Sequence, residues 1–193
     1  MNKYLETINI IVPTRNRIET LKFTINSILS DHYPKLFIHV IDNKSSDGTL
    51  SYLKTIRDKR FKYYQPASHL SMSENWEFGL SKIKDGYVTI LGSDDGHFPS
   101  SAYKLNSILK NYNYPDAIMS KPCFYKWPQD DMNKTSRLEI PTTTKLEWRE
   151  TKTWLKKFMN GFVDIAELPT LYTGGYIKTS IINKIIKKSK KKK

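Results

Sequence analysis

Tyr87-Val88-Thr89-Ile90-Leu91 is a short apolar run bounded by Gly86 and Gly92, and two adjacent carboxylates, Asp94 and Asp95, follow it. Its length and β-branched content fit a buried strand. In an open α/β sheet the carboxyl ends of the strands face the ligand crevice, so the pair would stand at that edge. Two like charges side by side repel unless something positive lies between or beyond them. A divalent cation carrying a phosphorylated ligand meets that need. Turn chemistry, with Asp94 capping the next helix, is the competing reading of the same residues.

The rest of the chain supplies a sheet for that strand. Residues 8–12 form another apolar run, stopped by Pro13, which cannot donate to a central ladder. The polar turn Thr14-Arg15-Asn16-Arg17 leads into a helical pattern with Leu21, Ile25, Ile28 and Leu29 on one face. Residues 37–41 read as a second strand ending at Asp42, followed by a turn and a short helix through Leu50, Leu53 and Ile56. A third strand is expected over 61–65. Ser71 and Glu74 have the spacing of a capping box, opening a helix that carries Trp76, Gly79, Leu80 and Ile83. Beyond Asp95, residues 99–111 read as a helix, 117–124 as a strand and 151–159 as a helix, whereas 125–149 read as a long loop or irregular strands. This alternation predicts an α/β fold with a mainly parallel central sheet flanked by helices.

Composition narrows the function classes. A chain of 193 residues with one cysteine, Cys123, can build one ordinary core and has no internal disulfide. With no Cys/His cluster it offers no structural zinc site. Neither a signal peptide nor a membrane span is expected, so the reading is a cytoplasmic protein, soluble or peripheral on the inner face of the cell membrane. The formal charge is +13, yet seven of the last ten residues are lysine, and without them the excess roughly halves. That tail would meet an anionic membrane surface. No nucleic-acid module signature is present, so no nucleic-acid partner is expected.

Three strand ends therefore carry polar groups toward one crevice: Pro13 and Thr14, Asp42, and the Asp94-Asp95 pair. A lone aspartate there can accept from the ring N–H of a uracil, and a carboxylate pair can reach a ribose and a metal-bound diphosphate. A nucleoside diphosphate with something attached fits.

Ile10-Ile11-Val12-Pro13-Thr14-Arg15-Asn16, Val40-Ile41-Asp42-Asn43-Lys44-Ser45-Ser46-Asp47-Gly48-Thr49, Ser73-Glu74-Asn75 and Leu91-Gly92-Ser93-Asp94-Asp95 resemble, in order and spacing, the family 2 glycosyltransferases of the GT-A fold. The resemblance is strong over residues 5–110 and fades beyond. It implies a GT-A domain over 1–183, with a nucleotide-sugar-binding half over 1–112, a partial acceptor half over 113–183, and a lysine-rich tail over 184–193. It also implies that Pro13, Thr14 and Arg15 wall the base beside Asn16, that Asp42 binds uracil or its equivalent, that Asp94 lies near the ribose, and that Asp95 holds Mg²⁺ or Mn²⁺. Asn75 would orient the loop near the sugar. The donor would be a nucleotide-diphosphate sugar, UDP-linked in many relatives. The acceptor would be a glycan or a lipid-linked chain in surface polysaccharide synthesis, and transfer would invert the anomeric centre.

The chain departs from the family pattern at two positions. Gly92 stands where many members carry an acid two residues before the pair, and Glu74 stands where an arginine is frequent before Asn75. The capping box accounts for Glu74. His97 is a further candidate contact to diphosphate or metal. The candidates for the catalytic base are Asp164 and Glu167, in a region where relatives lead toward the base. Two other functions compete: a donor-binding fragment lacking its base, through an early stop in the lysine-coding run, and a metal-dependent nucleotidyltransferase. The aspartate pair makes the direct test: Asp95→Ala is expected to abolish metal-dependent donor binding with the fold retained, and donor affinity indifferent to both the substitution and Mn²⁺ would refute the site.

Overall fold

In the computed structural model, which describes residues 5–120, 123–126, 137–139, 150–162 and 172–190, the first half of the chain alternates as its apolar periodicity requires. Strand β1 (Ile8–Thr14), helix α1 (Ile18–Leu29), β2 (Leu36–Asp42), α2 (Thr49–Leu53), β3 (Phe61–Tyr64), α3 (Met72–Leu80), β4 (Tyr87–Ile90) and α4 (Ser101–Asn111) follow in order. Next come β5 (Ala117–Met119), β6 (Phe124–Lys126), β7 (Arg137–Glu139), α5 (Thr151–Met159), β8 (Gly175–Lys178) and α6 (Thr179–Lys190). The chain divides into two compact units, Met1–Ile118 with Leu171–Lys193, and Met119–Thr170. In the second unit β6 pairs antiparallel with β7, and the side-chain carboxylate of Glu150 caps α5 by accepting from the backbone of Lys152 and Thr153.

The first unit is built on a six-stranded sheet of order β3-β2-β1-β4-β8-β5. Strand β1 lies parallel between β2 and β4, while β8 joins β4 antiparallel, so the sheet is mixed but mainly parallel. Alternate residues of each strand serve opposite faces. Ile8, Ile10, Val12, Leu36, Ile38 and Val40 pack with Leu21, Ile25 and Ile28 of α1 and with Ala102, Leu105 and Leu109 of α4. On the other face, Ile11, Ile41, Val88 and Ile90 pack with Ile83, with Trp76, Phe78 and Leu80 of α3, and with Ile182 and Ile186 of α6. Each fully buried Val, Leu or Ile among them contributes roughly 1.5–3 kcal/mol by leaving water. A Cβ at Gly79 would stand 2.9 Å from side-chain carbons of both Ile11 and Ile41, so the glycine lets α3 sit close on the sheet.

Several expected boundaries move: β1 runs through Pro13 to Thr14 in register with Ile41 and Asp42, α2 ends at Leu53 short of Ile56, and α3 ends at Leu80 short of Ile83. The apolar stretch over 117–124 is not one strand, because β5 ends at Met119 and β6 begins at Phe124. The lysine-rich end is not a tail from 184 onward, since α6 continues to Lys190 with Ile182 buried against the sheet and Lys184, Lys187 and Lys188 exposed.

Polar side chains close the helix ends. Arg60 donates to the Leu29 carbonyl at 2.9 Å and to the Asp31 carbonyl, supplying the cation that the last turn of α1 lacks, and Asp58 pairs with it at 3.0 Å. The Asp31 carboxylate, fully buried, accepts from the Tyr33 and Ala102 backbones and from the His97 ring. It joins the end of α1 to the start of α4.

His39 is buried in β2 between Asn9, whose side-chain oxygen lies 3.1 Å from its Nε2, and the stacked ring of Tyr64. Burial, reinforced by Lys62, pulls its pKa down to about 4. The folded state therefore holds His39 neutral where the unfolded chain already binds a proton. Its contribution to stability is complete above the unfolded value near 6.5 and is lost as pH falls toward 4, with a slope of at most about 1.4 kcal/mol per pH unit. Urea unfolding at pH 7 and at pH 4.5 should show this loss, and His39→Gln should reduce it; an identical pH dependence in the variant would contradict the assignment.

Candidate active site

Strand β1 has a parallel neighbour on either side, so the carboxyl ends of β2, β1 and β4 lie together where the strand order reverses. Thr14 is in register with Asp42, and the Leu91 N–H donates to the Ile11 carbonyl as β4 ends. The backbone then turns through residues 92–95, where the Asp95 N–H donates to the Gly92 carbonyl at 3.1 Å.

The two aspartates have separate partners. Asp94 is half exposed and accepts from the Arg17 guanidinium at 3.0 Å. Asp95 Oδ2 accepts from the Gly92 N–H at 3.0 Å and from the Thr173 hydroxyl at 2.7 Å, while the Asp95 carbonyl accepts from Thr24 of α1 at 2.7 Å. A Cβ at Gly92 would lie 2.5 Å from the Tyr172 hydroxyl and 2.6 Å from Asp95 Oδ2, so either side-chain end would have to shift to admit one. The Tyr172 ring stacks on Trp76 at 5.5 Å with planes 4° apart. Burial first, then Asp95 and Asp94, raises the pKa of its hydroxyl, which stays protonated and able to donate. Thus a phenol fills the space into which the missing acid at position 92 would project.

Beside the pair opens a cleft of about 450 Å³. Of the residues expected to bind a nucleotide sugar, Pro13, Thr14, Arg15, Asn75 and Asp94 line it. Two of them carry orphaned polar atoms: Thr14 Oγ1 and Asn75 Oδ1 have no hydrogen-bond partner among the described residues, although the side chains are only 5% and 4% exposed. Buried polar atoms are nearly always paired, so both mark contacts completed by a ligand or water. Arg15 meets the ring of His69 at the wall. Asn43 accepts from and donates to the Leu70 backbone at 2.9 and 2.8 Å, fixing the loop that precedes α3. The capping box is formed, with Glu74 bonded to the Ser71 N–H and hydroxyl.

The remaining expected residues take other places. Asp42 is fully buried and outside the cleft lining, accepting from the Ser45 N–H at 3.1 Å and the Gln65 amide at 3.0 Å. Asn16 adopts a left-handed backbone with φ 52° and accepts from the Ser46 N–H at 2.7 Å, stitching the first loop to the second. Asp95 stands outside the lining and is joined to it through Gly92. His97 is not brought into the cleft, because its Nε2 lies 3.0 Å from Asp31 and 2.9 Å from the Ser101 hydroxyl, and burial lowers its pKa. Asp164 and Glu167 lie outside the described residues. Arg17, Trp76, Tyr172 and Thr173 enter the site although sequence reasoning passed over them.

The acids suit a hard divalent cation. Such ions are commonly held by one or two carboxylates with phosphate and water completing the shell. Among the described residues no group of three His, Cys, Asp or Glu side chains converges, so the protein would supply the aspartate pair and the substrate the rest.

Comparison with known proteins identifies the family and the fold. The sequence model of Glycosyl transferase family 2 matches residues 9–167. An uncharacterized glycosyltransferase of Rickettsia typhi is 25% identical over 118 residues, which are 61% of this chain and 36% of that protein. The GalNAc(5)-diNAcBac-PP-undecaprenol beta-1,3-glucosyltransferase of Campylobacter jejuni is 34% identical over 91 residues, 46% of this chain and 29% of that protein. The chain thus spans well under half the length of either relative. Residues 1–349 of Staphylococcus aureus TarS superpose with a TM-score of 0.56 at 21% identity, over 60% of this chain and 35% of that one. The Pyrobaculum calidifontis mannosyltransferase PcManGT, in complex with GDP-Man and Mn²⁺, gives a TM-score of 0.50 at 23% identity, over 66% and 38%. At these identities the structures share a fold, the GT-A fold, and the family match covers most of the sequence: the chain belongs to glycosyltransferase family 2.

Proposed function

We propose that this chain binds a nucleotide-diphosphate sugar at the β1–β4 crevice and transfers its glycosyl group, with inversion, to a hydroxyl of a glycan or lipid-linked acceptor. The observation that carries the reading is the aspartate pair at the exit of β4 beside a cleft that holds two buried, unsatisfied polar atoms. TarS has been solved with UDP-GlcNAc and with UDP, and PcManGT with GDP-Man and Mn²⁺. The Campylobacter relative is named for a lipid-linked acceptor. These favour a nucleoside diphosphate donor, UDP-linked in our reading, and a lipid-linked acceptor, which our reading assigns to surface polysaccharide synthesis. Among the described residues no helix is long and apolar enough to cross a membrane. We place the protein in the cytoplasm with the lysine face of α6 toward anionic lipid. The nucleotidyltransferase alternative has no support in the fold or the family.

In this reading Pro13, Thr14 and Arg15 wall the base and Asp42 receives it from beneath, after Gln65 releases its carboxylate. Asp94 lies near the ribose. Asp95, fixed through Oδ2 by Gly92 and Thr173, would hold the divalent cation. A bound Mg²⁺ or Mn²⁺ would offset the negative charge that grows on the departing diphosphate. Asn75 Oδ1 accepts from a hydroxyl of the donor sugar. The acceptor oxygen forms a bond to the anomeric carbon as the carbon–phosphate oxygen bond breaks, and its proton passes to a carboxylate base, for which Asp164 and Glu167 are the candidates.

Incubation with UDP- and GDP-sugars in Mn²⁺ should release nucleoside diphosphate, slowly to water and faster when acceptor is added. Binding without any turnover would instead favour a donor-binding fragment. Neither binding nor turnover with any donor would overturn the proposal. Gly92→Ala should push the Tyr172 hydroxyl and the Asp95 carboxylate apart, costing about 1–3 kcal/mol of stability and donor affinity. Gly92→Ala/Tyr172→Phe should recover part of the stability in thermal melts, and no recovery would show that the phenol is not the obstacle.

A further inference from the structure

We propose that Arg17 is a phosphate-binding residue that holds Asp94 while the cleft is empty and passes to the donor's diphosphate when the cleft fills. The inference rests on the donor reading above and adds a residue and a role to it. Arg17 stands at the start of α1, and its guanidinium crosses from the β1 loop to the β4 loop to meet Asp94 at 3.0 Å. Both side chains line the cleft and both are about half exposed, 55% and 50%. An ion pair so open to water is worth little, on the order of 0–1 kcal/mol, and separates readily.

The charge balance of the site supplies the reason for it to separate. Arg17 engages one oxygen of Asp94, Oδ2, and a cation arriving at the aspartate pair would repel the neighbouring guanidinium, so donor binding turns Arg17 loose inside the cleft. Two phosphates arriving at the same place are the natural new partner, because the planar fork of N–H donors matches phosphate oxygens two at a time. Arg15, the other cation of the cleft, is already engaged with His69. Nor does Arg17 serve the helix through its side chain, as α1 has no side-chain cap at this position and the Thr20 hydroxyl and the Leu21 N–H bond to the Arg17 backbone carbonyl. The side chain can therefore be removed without unmaking α1.

Calorimetric titration of wild type, Arg17→Ala and Arg17→Lys with UDP, UMP and uridine in saturating Mn²⁺, and with Mn²⁺ alone, tests this. For Arg17→Ala, UDP affinity should fall about tenfold to a hundredfold, as expected for a charged hydrogen-bonding pair. UMP should lose less and uridine nothing. Arg17→Lys should lie between, and Mn²⁺ alone should bind Arg17→Ala at least as tightly as wild type because a competing cation has gone. Equal UDP affinity in wild type and Arg17→Ala would overturn the role. So would uridine weakened as much as UDP, or Mn²⁺ bound more weakly, since both describe a residue that merely props the loop. If wild type binds no nucleoside diphosphate, the donor reading itself fails and the inference goes with it.

Discussion

Two carboxylates on consecutive residues at one strand end repel each other, and this structure gives each of Asp94 and Asp95 its own donors. Arg17 neutralises the outer one. The inner one is held by the Gly92 N–H and the Thr173 hydroxyl, and its backbone by Thr24. Those four contacts come from α1 and its N-cap, the β4 exit and the turn before β8, so the geometry of the pair depends on these three segments being assembled together.

The support extends behind the loop. Asp31, buried at the end of α1, binds the N-terminus of α4 and the His97 ring, and the His97 N–H bonds to Ser27. Residues 92–100 are thereby fastened at both ends, to β1 through Leu91 and to α1 through His97. On the opposite side of the cleft, Asn43 and the capping box fix the approach to α3 and so the position of Asn75. Arg15, Arg17 and Asp94 are the exposed charges of the cleft, carried on this scaffold.

Much of this was legible in the sequence because it is local. The β-branched runs before Pro13, Asp42 and Gly92 became β1, β2 and β4, and the Ser71–Glu74 spacing became a formed capping box. The family resemblance was carried by the same local motifs and is borne out by the family match and the fold. What sequence reading missed depends on distant partners. The polar turn after β1 gave no sign that Arg17 would reach a residue 77 positions away, or that Thr173 would meet Asp95 across 78. Gly92 read as a lost ligand, whereas a Cβ there would crowd the Tyr172 hydroxyl and the Asp95 carboxylate. His97 had the right place in the sequence, but burial favours its neutral ring and Asp31 draws it away from the cleft. The lysine run hid a helix because charge masks the spacing of Ile182 and Ile186, which only the sheet beneath them reveals.

The central claim is that Asp94 and Asp95 receive a nucleoside diphosphate through a divalent cation. Calorimetric titration of the chain with UDP and with GDP, in Mn²⁺ and again in chelator, tests it most directly. The account predicts saturable binding of one nucleotide in Mn²⁺ that disappears in chelator. Binding of neither nucleotide, or binding unchanged by removing the metal, would contradict it.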